Sequence, residues 1–296
     1  MPFSYFVFIH HPINLLAFVA LIISLISLWI HKTPWLWGTF TLLSLLFALL
    51  GNLIDAWGLA VLGLLCGTYL LLTLTNVRGI PRLIAVSTVL LISIAMTLHI
   101  CPGFQAWKLS QKMQISSDAY PYALFPHFDT PFTGLFPLAL SIPLIRTRMY
   151  MRSTAVYTII ITALGVAVMI MLALYLRFVK YDPKLPHISV AWLIANFFLV
   201  TLPQEAFFRG FVQKELSEYV HIRGGRGISV CITALLFGLL HLSFICSLTY
   251  FLCTFIAGLI YGSLYTITRS IESPIFCHYV FNVIHFFFFT YPALMQ

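Results

Sequence analysis

Apolar runs long enough to cross a bilayer recur along the whole of this chain, at roughly 12–31, 35–51, 53–76, 83–100, 132–146, 153–177, 188–208, 228–246, 248–268 and 274–291. A hydrocarbon core is about 30 Å thick and takes about 20 helical residues to span, so runs of this length read as membrane helices. Composition agrees: 61% of residues are hydrophobic and 8% charged, against about 25% charged in an ordinary soluble domain. The expected fold is an all-α, polytopic transmembrane helix bundle of about 8–10 segments. The fifth run is the shortest and carries Pro137 and Pro143, which suits a re-entrant segment buried among other helices. The first run has no basic stretch ahead of it and no small-residue cleavage site behind it, so it reads as a retained helix.

The net charge of +8 comes from 16 Lys and Arg against 8 Asp and Glu, placed mostly in short connections. That distribution speaks of membrane topology and excludes a nucleic-acid partner. Basic residues gather at Lys32, at Arg78 and Arg82, at Arg146, Arg148 and Arg152, at Lys214, Arg223 and Arg226, and at Arg269. If all ten segments cross, these groups fall on one side, which the positive-inside rule makes cytoplasmic, with both termini outside. The six cysteines form no C-x-x-C pair and read as small buried hydrophobes.

No internal repeat, low-complexity tract or long linker divides the chain. Residues 1–100 hold almost no ionisable groups within apolar runs, whereas 200–285 hold several. Chemistry is therefore expected in a core at 151–296, with 1–150 as an N-terminal transmembrane extension.

Ionisable side chains inside a bilayer cost a few kcal/mol or more and usually face a cavity or a partner. The last four runs contain Glu205, Arg209, His241, His278 and His285, with the amides Gln204 and Asn282. Glu205 and Arg209 are four apart and share a helical face, where they can form a structural ion pair or part of a site. Phe237 and His241 repeat that spacing, although a lone histidine on such a helix is more often a packing residue. His278, Asn282 and His285 form a polar stripe on the last helix, which should face the bundle. Nearly equal arms about Gly224 bring Glu205 and His241 to similar depth. The same counting puts His278 shallower, unless the 212–226 segment protrudes or the last helix starts deep. A carboxylate, two histidines and an asparagine on three helices are the parts of acid–base hydrolysis of an amide.

These residues resemble the CAAX-protease and bacteriocin-processing (Abi) family of glutamic-type intramembrane proteases, which includes the type II CAAX prenyl endopeptidases. The family pattern runs Glu-Glu-x-x-x-Arg, Phe-x-x-x-His, then His-x-x-x-Asn or Asp on successive helices. It is met here by Gln204-Glu205 with Arg209, Phe237 with His241, and His278 with Asn282. The resemblance covers about residues 150–296. It implies that a glutamate and His241 activate water while His278 and Asn282 form the oxyanion hole, with no cofactor or metal. One position departs. The family's first glutamate is Gln204, and a neutral amide cannot accept the proton. Three explanations fit: an engineered inactive variant, a natural non-catalytic member, or a member whose base is Glu205. The first is preferred because every other motif residue is present.

The resemblance thus implies a multi-pass endopeptidase of the cell membrane, cutting a membrane-anchored protein or peptide near its C-terminal tail or anchor, and the ten-span architecture points to a bacterial inner membrane. Two rivals stay open: a zinc-dependent membrane protease using His241 and His278, and a non-catalytic transporter or scaffold whose polar stripe lines a pathway or binds a partner.

Overall fold

The computed structural model describes residues 12–145, 147–219 and 224–295. Arg146 and Arg223, used in the charge argument, and the segment ahead of the first helix, used to read that helix as retained, lie outside them. The chain is 71% helical, with no strand among the described residues. Among the described residues ten helices follow one another: α1 Pro12–Ile30, α2 Pro34–Leu50, α3 Ala56–Leu74, α4 Gly79–Thr97, α5 Thr130–Leu140, α6 Arg148–Tyr175, α7 Ser189–Tyr219, α8 Gly225–His241, α9 Leu248–Thr268 and α10 Glu272–Phe288. Six of them, α1, α3, α4, α6, α7 and α9, are long and apolar enough to cross a membrane. The all-α polytopic bundle is therefore the fold, and the chain is a multi-pass membrane protein. The fifth apolar run forms only the 11-residue α5, buried from Thr130 to Ala139.

The chain divides into two compact units. The first takes in the described residues up to Gln111, together with Leu124–Pro143 and Phe198–Phe207. Here α1 and α2 form a hairpin closed by small hydroxyls: Ser24 Oγ donates to Trp37 O at 2.8 Å, and Ser44 Oγ to Ala17 O at 2.7 Å. Small residues and hydroxyls of this kind hold helices together where no hydrophobic force separates helix from lipid. Helix α5 packs on α3, α4 and the Leu202–Glu205 turn of α7. Gly134 makes this last approach possible, since a Cβ there would lie 2.4 Å from Pro203 Cα.

The second unit comprises Lys112–Ala123, Leu144–Phe197 and the described residues from Phe208 onward. Helices α8 and α9 form its central hairpin, with α6 against α9 and α10. Gly258 meets Ala234 so closely that a Cβ on it would lie 3.0 Å from Ala234 Cα. Outside the helices, segment 112–123 is clasped to the chain around residues 180 and 291. Lys180 Nζ donates to Asp118 Oδ2 at 2.7 Å, Tyr291 N donates to Ser116 Oγ at 3.1 Å, and Lys184 donates to both Asp182 and the Phe289 carbonyl. Hydrogen bonding from Lys180 holds the Asp118 carboxyl below its ordinary range, and bonding to Ser116, then Lys184, does so for Asp182.

Two of the six cysteines, Cys253 and Cys277, are buried, but Cys231 and Cys246 are exposed. The reading of all six as buried therefore fails, because a small apolar side chain is as much at home against lipid as inside the bundle.

Candidate active site

Helix α7 is not a regular α-helix. It widens into π turns at Asn196–Thr201 and Ala206–Gln213, on either side of the α-helical turn Leu202–Glu205. Pro203 supplies a cause: it has no N–H to donate, and its ring crowds the carbonyl four residues earlier. Widened turns absorb that mismatch, and they are frequent at functional sites. Gln204 and Glu205 follow directly and fall in the first unit. Glu205 is fully buried. Gln204 is half-buried, with its Oε1 enclosed and accepting no hydrogen bond among the described residues.

Arg209, His241, His278 and Asn282 fall in the second unit, and three of them gather on one ring. The fully buried Arg209 guanidinium lies 4.7 Å from the centroid of Phe237 and 5.3 Å from that of Tyr261, and donates to Gly258 O at 3.1 Å. Such a cation over aromatic faces is worth about 2 kcal/mol when desolvated. The His241 ring lies 4.2 Å from Phe237, and the His278 ring meets the same Phe237 edge-on at 5.9 Å. His278 also stacks on Tyr261 at 4.7 Å.

The shallower depth that counting gives His278 is thus absent: both histidines touch one phenylalanine. Two features account for it. Helix α7 runs 31 residues to Tyr219, further than the about 20 that a bilayer core requires. Helix α10 begins inside the protein, with Ser273, Pro274 and Ile275 buried and Glu272 accepting from Ile145 N at 2.7 Å and Ser270 Oγ at 2.7 Å.

His241 Nδ1 lies 2.7 Å from Phe237 O. A carbonyl only accepts, so Nδ1 carries the hydrogen and Nε2 holds the lone pair. Asn282 Nδ2 donates to Asn196 Oδ1 at 3.2 Å, which fixes the plane of its amide. Sequence reasoning missed Asn196 and Tyr261. The signal for Asn196 was available, as it is the one amide in the apolar run ahead of Gln204. Tyr261 had none, being one aromatic among many.

Next to this cluster, an apolar pocket opens between α6, α9 and α10, lined by residues such as Met169, Ala173, Cys253, Phe281 and His285. Tyr250 also lines it and lies 6.1 Å, ring to ring, from His241.

The fold and these residues define a multi-pass membrane protein whose later helices bury polar groups suited to acid–base chemistry. Residues 186–284 match the family model described as Rce1-like, type II CAAX prenyl endopeptidase, and the match takes in every one of the six candidate residues. It covers a third of the chain and implies a membrane protease of the CAAX type. No curated protein and no solved structure matches the chain.

Proposed function

We propose that this chain has the build of a glutamic-type intramembrane endopeptidase, acting on a membrane-anchored protein or peptide near its tail or anchor. The observation that carries the reading is the gathering of Arg209, His241 and His278 on Phe237, within the stretch that matches the protease family. In this reading His241 Nε2 takes a proton from water, a task that the family resemblance also gives to a glutamate. His278 and Asn282 stabilise the oxyanion, with Asn196 orienting the amide. Arg209 holds a fixed positive charge beside both histidines' shared ring, since a guanidinium stays protonated. The apolar pocket beside Tyr250 suits the anchor of the substrate. The catalytic part is 151–296 and the host a bacterial inner membrane.

Because Gln204 stands where the family has its base, the chain as written is inactive or relies on Glu205. Cleavage of a membrane-anchored substrate by the chain and by Gln204→Glu, both in lipid and read as intact fragment masses, tests this. Cleavage by the variant alone supports the assignment. Equal cleavage by both moves the base to Glu205, and none by either, with a verified substrate, rejects the peptidase reading.

A further inference from the structure

A second group of chemistry-bearing residues lies in the first unit, outside the stretch that matches the protease family. Helix α4 ends at Thr97, and an irregular connection leads to Asp129, which caps α5. A connection of this length without secondary structure is uncommon in a compact protein and is usually functional. At its two ends stand His99 and, beside the cap, His127 and Asp129. Each offers one ligand atom, and these atoms all lie within 4.8 Å of one another. Among the described residues this is the one group of three or more His, Cys, Asp and Glu side chains that meets so closely.

We propose that His99, His127 and Asp129 form a divalent-metal site, with zinc as its occupant, that clips the end of α4 to the start of α5. His99 Nδ1 lies 3.1 Å from Asp129 Oδ1 and 3.2 Å from Oδ2. Two ligands that each bind one zinc at about 2.0–2.2 Å lie about this far apart across a coordination polyhedron. The two imidazoles stack at 3.4 Å and 14°, so small ring rotations suffice to aim one nitrogen from each at a shared ion.

The surroundings fix the ligands. Asp129 is 1% exposed, and its Oδ1 accepts from Thr130 N at 2.6 Å and Thr130 Oγ1 at 3.1 Å. Such outer contacts orient a ligating carboxylate. His127 is held by a backbone bridge to Ala106. His99 adopts a left-handed φ of 56°, secured by N–H donation to Met96 O at 3.0 Å. Left-handed backbone at a residue other than glycine costs energy and persists where the surroundings impose it. Two imidazoles and a carboxylate suit zinc and its transition-metal neighbours, and disfavour calcium and magnesium, which take oxygen ligands.

The proposal does not rest on the peptidase reading. The test uses the full chain in detergent micelles, stripped with a chelator and titrated with zinc chloride against a chromophoric competitor. One zinc per chain is expected. His99→Gln, His127→Gln and Asp129→Asn should each weaken binding by at least the about 10–100-fold that loss of an outer-shell partner costs, and His187→Gln, in an exposed loop, should leave it unchanged. Zinc should also raise the melting temperature of the unsubstituted chain, a readout that stands if a variant fails to fold. Absence of zinc binding by the unsubstituted chain overturns the site, as does affinity unaltered in His99→Gln and His127→Gln.

Discussion

Glutamine and glutamate share a shape but not a basicity, so position 204 separates binding from chemistry. Gln204→Glu should raise cleavage by about 10²–10⁴-fold, the usual contribution of a general base, and adding His241→Ala should abolish the gain. Single-turnover cleavage in liposomes measures both. Arg209 tests the aromatic cage rather than the chemistry. A lysine there keeps the charge but lacks the planar guanidinium that spreads over Phe237 and Tyr261. Arg209→Lys should cost about 2 kcal/mol of stability, read as a lower melting temperature in detergent. A melting temperature unchanged by Arg209→Lys would show the cage to be incidental. The candidate residues themselves were legible in the sequence, because an ionisable or amide group inside an apolar run stands out. Their supports were less so. Tyr261 is unremarkable until a fold lays it on His278, and Asn196 gains meaning only when Asn282 is seen to reach it.

At the scale of the element, hydropathy located the helices because lipid imposes one requirement on all of them. It could not show how α7 is wound. The π turns begin at Ala206, directly after Glu205, and no apolar pattern marks them. Nor could hydropathy identify the glycines that let helices touch. Gly258 carries the α8–α9 contact and also accepts from Arg209 through its carbonyl. Gly258→Leu should force α8 away from α9, at a cost of about 1–3 kcal/mol typical of overpacking. In the Gln204→Glu background cleavage should fall with stability, whereas Gly63→Leu, at a glycine with nothing near its missing Cβ, should change neither. Equal behaviour of the two leucine variants would disprove the close-contact argument.

For the molecule as a whole, the long polar connection was visible only as a gap between apolar runs. Its contacts join residues far apart in sequence, such as Asp118 with Lys180 and His99 with Asp129, and no local pattern announces such pairings. The Asp118–Lys180 and Asp182–Lys184 clasp carries a pH signature. Both carboxyls titrate below the ordinary value of 3.8 in the folded chain. Their contribution is complete above that value and is lost as pH falls through the lower, folded values. Hydrogen exchange in segment 112–123 should thus be slow at pH 6 and, corrected for intrinsic rates, lose protection only as the pH falls below 3.8. Protection that persists when both carboxyls are fully protonated would assign the clasp to its backbone bonds instead. Helix α6 has a further consequence. Beyond the exposed Arg152 it runs from Ser153 to Tyr175, with outward apolar side chains such as Val156, Ile160, Leu164 and Met171. At about 1.5 Å per residue that is about 35 Å of helix, against a hydrocarbon slab of about 30 Å. The helix must lean or the lipid must stretch, each at fractions of a kcal/mol per ångström of mismatch. Acyl-chain length is then a variable of this protein's energetics: thick bilayers let α6 stand nearly upright, and thin ones tilt it.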